Sequence, residues 1–302
     1  MNQSLVPTGC ADSRWHSSSF RIASIPGRDC ENPYIKLFYD ALETYGIEQV
    51  ASFDVDSRWF SEHGRGIDAI HIHWPEWIWR AYTPGLFRTL YRYRVRGAWR
   101  LLNALSVPRQ LGGLSKFRHF LETAKQRGVR LLWTFHNAEH HEGAGRFDAT
   151  GYHLLASAAD LIICHSRSAR EQCLAQLRPA GQVVVMPYGN YKGVYPAPRP
   201  RSVVLDELGL SPDRPVLSCL GLIRPYKGID IALEAAAILG NQAQLVIGGE
   251  CTDSDVLTRL QEQVKRMPWV RLIPRRLSEQ EFADILSGSD AALLPYRKIT
   301  GS

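Results

Sequence analysis

Residues 215 to 239 constrain the fold more than any other stretch. Pro215-Val216-Leu217-Ser218-Cys219-Leu220 is a short apolar run of the buried-strand type. Ile229 to Leu239 has helical period and many good helix formers. Arg224 and Lys227 therefore fall on a strand-to-helix loop, just ahead of a helix N-terminus. Free backbone N–H groups and the positive end of the helix dipole favour anions there. Two cations at that place point to a diphosphate site, with charge-assisted contacts worth roughly 1.5–3 kcal/mol each. From spacing alone, an ordinary basic surface loop stays open as the alternative.

The same alternation begins near the N-terminus. Phe20 to Pro26 is expected as a strand and Gly27-Arg28-Asp29 as a turn. Asn32 then caps a helix, Pro33 opens it, and Gly46 ends it. Ile47 to Phe53 follows as a second strand, and this order is the start of a parallel α/β layer. Further strands are expected at Asp68 to His73, Val129 to Phe135, Asp160 to Ser166 and Gln182 to Met186, with a helix at Gly113 to Arg127. With 302 residues the chain is long enough for two domains. Tyr195-Pro196-Ala197-Pro198-Arg199-Pro200-Arg201 reads as a stiff linker. Residues 1–19 are expected to be disordered, 20–195 to form the first domain, 196–201 the linker and 202–302 the second domain. In the second, Ala243 to Glu250 reads as a strand ending in the double glycine Gly248-Gly249, where a ligand can approach backbone closely, and Ala291 to Leu294 as the last strand.

Hydrophobic residues make up 45% and charged residues 22%, as in ordinary globular proteins, and no run of about 20 apolar residues suggests a membrane span. The six cysteines form no C-x-x-C pair and read as reduced thiols in a cytosolic setting. The net charge of +6 is unevenly spread. No acidic residue occurs from Trp77 to Leu121, while Arg80, Arg88, Arg92, Arg94, Arg96, Arg100, Arg109, Lys116 and Arg118 all do. Arginine interleaved with Tyr, Phe, Trp and Leu fits a helix docking on anionic lipid. A solvated helix face and a nucleic-acid surface are the rivals, and no nucleic-acid motif accompanies the stretch.

Three short patterns bear on chemistry. His73, Trp74 and Glu76 lie at the carboxyl end of an expected parallel strand, where open α/β sheets bind ligands; a packed aromatic corner is the plainer reading. His136-Asn137-Ala138-Glu139-His140 matches the H-x-x-E-H zinc-peptidase pattern. That chemistry needs a helix, so that both histidines face one metal, yet an apolar strand-like run leads directly into the motif. An imidazole at a strand end can exchange a proton near neutral pH. Asp54-Val55-Asp56 and Asp253-Ser254-Asp255 read as loop or helix-start carboxylates, in no metal-binding context.

Gly221-x-x-Arg224-x-x-Lys227-Gly228 resembles the diphosphate loop that opens the C-terminal domain of GT-B glycosyltransferases of the group 1 type. The resemblance covers roughly residues 20 to 302. It implies an α/β chain of two facing Rossmann-like domains, a nucleotide diphosphate sugar as donor, and no cofactor or metal. Arg224 and Lys227 would hold the leaving diphosphate, with Gly221, Gly249, Glu250, Gly301 and Ser302 on the donor side. His136 would be catalytic, contacting the reacting sugar or shuttling a proton. His73, Trp74, Asn137, Glu139 and His140 would face the acceptor, a saccharide or a polyprenyl-linked sugar. The runs Trp133-Thr134-Phe135-His136-Asn137 and Pro187-Tyr188-Gly189-Asn190-Tyr191 also resemble transferases that use GDP-mannose in exopolysaccharide synthesis. Such a protein is expected in the cytoplasm, peripheral on the membrane, without nucleic acid. Family members continue past the position of Ser302 with further helices and an acidic donor contact, so the second domain is expected to be incomplete. A nucleotide-sugar epimerase of the same fold, the zinc peptidase and a catalytically inert binding module are the rival functions.

Overall fold

The computed structural model describes residues 19–27, 30, 32–50, 59, 65–79, 98–136 and 147–297, with backbone alone for Trp77 and residues 98–106. The chain divides into two compact units between Tyr188 and Gly189.

The first unit is a six-stranded sheet in the order β2-β1-β3-β4-β5-β6. Its strands are β1 (Phe20–Ile25), β2 (Ile47–Val50), β3 (Ala69–Ile72), β4 (Arg130–Phe135), β5 (Leu161–Cys164) and β6 (Gln182–Val185). All neighbours pair in parallel. Helix α1 (Pro33–Glu43) starts where the sequence predicts: the Asn32 side chain accepts from the Tyr34 N–H at 3.0 Å, and Pro33 opens the first turn. The short α2 (Glu76–Trp79) follows β3. Helix α3 (Ala98–Gln126) begins well before the expected Gly113 and carries Pro108 inside it. Leu114, Phe117, Leu121 and Ala124 recur at helical spacing along α3 and are buried, whereas Arg109, Lys116 and Arg118 are exposed. Helices α4 (Asp148–Ala158) and α5 (Arg167–Leu177) complete the unit.

Alternation along the strands assigns side chains to the two faces of the sheet. Ile70, Ile72, Leu131, Trp133 and Phe135 pack with Trp79, Phe117, Tyr152 and Leu155 in one core. Ile22, Ala69 and Leu132 belong to the other, with Tyr34, Ile35 and Tyr39 of α1. Each fully buried Ile, Leu or Phe contributes about 1.5–3 kcal/mol. His71, lying between Ile70 and Ile72, is thereby delivered to the α1 face.

The second unit is a four-stranded parallel sheet in the order β10-β7-β8-β9. Its strands are β7 (Val216–Leu220), β8 (Gln244–Gly248), β9 (Val270–Ile273) and β10 (Ala291–Ala292), the last shorter than the Ala291 to Leu294 run expected. Helix α6 (Arg201–Leu208) precedes β7, α7 (Ile229–Leu239) follows it, and α8 (Ser254–Val264) and α9 (Glu279–Gly288) follow β8 and β9. Asp253 accepts from the N–H groups of Asp255 and Val256 and so caps α8, the helix-start role predicted for it. Leu217, Cys219, Leu245 and Ile247 pack under α7, while Val216 and Val246 pack with Leu205 and Ile285 on the opposite face. The five described cysteines are free, and no helix among the described residues is long and apolar enough to cross a membrane.

Candidate active site

In the second unit, three chain segments meet at the carboxyl end of β7. Gly221 leaves the strand at φ +105°, and Arg224 precedes a single 3-10 turn, Pro225–Lys227. Gly228, at φ +66°, then starts α7. The loop after β8 lies against this one: Gly221 N–H donates to the Gly248 carbonyl and Ile223 N–H to the Glu250 carbonyl, both at 2.9 Å. A Cβ on Gly249 would come within 2.0 Å of the Gly221 carbonyl oxygen, so only glycine permits the approach. Lys227 Nζ curls back to 2.9 Å from where a Cβ on Gly221 would stand. Among the described residues no carboxylate pairs with Lys227; its ammonium lies 5.4 Å from the centre of the Tyr296 ring.

In the first unit, the residue just past each of three adjacent strands is a histidine: His73 after β3, His136 after β4 and His165 after β5. They gather around Tyr34, whose ring meets those of His73, His136, His165 and Tyr188 edge-on at 5.7, 5.5, 5.4 and 5.4 Å. His165 Nδ1 lies 2.8 Å from the Met186 carbonyl, which can only accept, so that nitrogen carries the proton. Its Nε2 is then an acceptor, and the Tyr34 hydroxyl donates to it at 3.1 Å. The Tyr39 hydroxyl lies 2.9 Å from His71 Nδ1 and 3.1 Å from His73 Nε2, and with one proton it donates to one ring and accepts from the other. His71 Nε2 bonds the Thr134 hydroxyl at 2.8 Å, and His136 Nδ1 bonds the Tyr188 hydroxyl at 3.0 Å. Trp74 stacks on His136 with ring centres 4.7 Å apart.

Two ring nitrogens are left over. Among the described residues, His73 Nδ1 and His136 Nε2 are buried and have no hydrogen-bond partner. Their rings, with Trp74, Glu76, Trp133 and Tyr152, line a cavity of about 10 Å³, close to the size of one water molecule. Buried polar atoms are normally paired, so these two mark a place where a polar group belongs.

Burial sets the charge state of the cluster. It pushes the His71 and His136 imidazoles down to about 3, and His73 well below its usual range, with the neighbouring histidines adding repulsion. Burial also lowers His165 and raises the Tyr39 phenol. Desolvation of the charged ring favours the neutral form of His136, as a hydrogen-bonding group.

Arg224 and Lys227 lie on one loop ahead of α7, with Gly221 and Gly249 beside them; Glu250 reaches that loop through its backbone carbonyl, its residue being exposed. His73, Trp74 and His136 come together in the first unit. Asn137, Glu139, His140, Gly301 and Ser302 lie outside the described residues, as do Asp54, Asp56 and the arginines from Arg80 to Arg96. Among the described residues no group of three or more His, Cys, Asp or Glu could hold a metal ion. The sequence reading missed Tyr34, Tyr39, His71, His165 and Tyr188. The available signal was three apolar runs each ending in histidine, and the His71-x-His73 spacing that puts both rings on one face.

No family model and no curated protein matches the sequence. Solved structures match over most of its length. Sucrose-phosphate synthase from Thermosynechococcus elongatus covers 94% of this chain and is itself covered to 77%, with a TM-score of 0.63 at 14% identity. Anabaena HepE in complex with UDP gives 93%, 74%, 0.59 and 14% for the same quantities. A glycosyltransferase from Rickettsia africae gives 93%, 74%, 0.56 and 11%. Two parallel α/β units, and this likeness across more than nine-tenths of the chain, show that the protein has the GT-B glycosyltransferase fold.

Proposed function

We propose that the protein is a glycosyltransferase that moves a hexose from a nucleotide diphosphate sugar to a saccharide or lipid-linked acceptor. The observation that carries the reading is Lys227: a cation with no carboxylate partner among the described residues, held over Gly221 ahead of α7. Arg224 on the same loop adds a second positive charge. Charge that is already in place when the diphosphate leaves needs no reorganisation, which is how such a loop lowers the barrier. His136 and His73 act in this reading as neutral partners for sugar hydroxyls, through the two nitrogens that lack partners. HepE binds UDP and UDP-glucose, which supports a nucleotide donor without naming the one used here. The finer proposal, mannose from GDP-mannose with docking on anionic membrane, rests on the run around His136 and the basic stretch from Arg80 to Arg118.

Thermal unfolding with UDP and with GDP tests the function. A ligand at 100 times its dissociation constant stabilises by about 2.7 kcal/mol, a visible shift. One nucleotide is expected to raise the melting temperature of the wild-type chain. Lys227→Ala is expected to weaken its binding about 10- to 100-fold, the loss of one charge-assisted contact. Unchanged melting with both nucleotides would remove the diphosphate reading.

A further inference from the structure

Lys227 is held in place by the segment that follows β10. Pro295 packs on the start of α7, where a Cβ on Gly228 would come 2.0 Å from the Pro295 carbonyl oxygen. Arg297 N–H donates to the Tyr226 carbonyl at 2.9 Å, and the Arg297 guanidinium pairs with Asp230. The Tyr226 and Tyr296 rings meet edge-on at 6.1 Å. These anchors fix the Tyr296 ring 5.4 Å from Lys227 Nζ.

An aromatic ring attracts an ammonium without neutralising it, whereas a carboxylate in the same place would cancel its charge. Asp230, the acidic residue in the first turn of α7, is the nearby carboxylate in sequence, and Arg297 occupies it. A lysine side chain is otherwise free to sample many rotamers. We propose that Tyr296 is a positioning residue for the diphosphate loop: with Arg297 holding Asp230, its ring keeps the Lys227 ammonium over Gly221 and available to a nucleoside diphosphate. This rests on the function proposed above and assigns to the segment after β10 the task of preorganising that loop.

Calorimetric titration with UDP, GDP and ADP tests the inference on the full chain. Tyr296→Leu is expected to bind the diphosphate about five- to tenfold more weakly, and Tyr296→Phe, which keeps the ring, to restore most of the loss. A double-mutant cycle separates positioning from general structure. If Tyr296 acts through Lys227, Tyr296→Leu costs nothing further once Lys227→Ala is present. An equal loss in both backgrounds, or wild-type affinity in Tyr296→Leu, overturns the proposal. A wild-type chain that binds none of the three diphosphates overturns the function itself, and this inference with it.

Discussion

His71, His73, His136 and His165 are held toward the neutral form. Each ring is wedged among tyrosines and other imidazoles, and desolvation outweighs the attraction any proton could find there. Tyr34 shows how much depends on one hydroxyl. Tyr34→Phe keeps the ring that five neighbouring rings meet but leaves His165 Nε2 without its donor. An unsatisfied buried acceptor costs about 1–3 kcal/mol, so urea unfolding of the variant should show a loss of that size. No measurable loss would mean that the hydroxyl is not paired in solution. His136 was legible because an apolar run leads straight into it. His165 has the same position on the next strand and was read only as a strand end. The physical reason is that a histidine gains its role from neighbours on other strands, which one strand's pattern does not display.

Glycines decide how closely the elements approach. Gly249 sits at φ +152° with the Gly221 carbonyl where a Cβ would be, so Gly249→Ala must push the loops after β7 and β8 apart. The expected result is destabilisation by about 1–3 kcal/mol, together with weaker nucleotide binding, because the loop carrying Arg224 and Lys227 moves with it. Calorimetric titration beside urea unfolding would register both effects. Gly151 plays the corresponding part in the first core: a Cβ there would meet the Trp79 ring at 2.5 Å. Gly151→Ala should destabilise by a similar amount and, being packed in the core of the first unit and no part of the diphosphate loop, leave nucleotide affinity unchanged. The start of α1 was readable from Asn32 and Pro33, since a cap is a local event. The length of α3 was not, because Pro108 in sequence argues for a break that the packed helix tolerates.

For the molecule as a whole, neutral histidines held out of water make stability depend on pH. Burial holds the His71 and His136 imidazoles down to about 3 in the folded chain, against about 6.5 unfolded, so between those values the unfolded chain binds more protons. Their contribution is complete above about pH 6.5 and is lost as pH falls toward 3, at up to about 1.4 kcal/mol per pH unit for each ring. Urea midpoints at pH 7.5, 6 and 5 should fall in that order, and His71→Gln should flatten the decline. A midpoint that does not change across this range would place these rings in contact with water. By itself the sequence determined the α/β class, the strand-loop-helix around Arg224 and Lys227, and the strand end at His136, because apolar period, caps and breakers act over a few residues. Only the tertiary structure decided that three strand ends bring their histidines around Tyr34, that Tyr296 lies beneath Lys227, and that the imidazoles are neutral. Burial and proximity between distant segments exist only once the sheets have formed, and desolvation, which sets the charge state, follows from them.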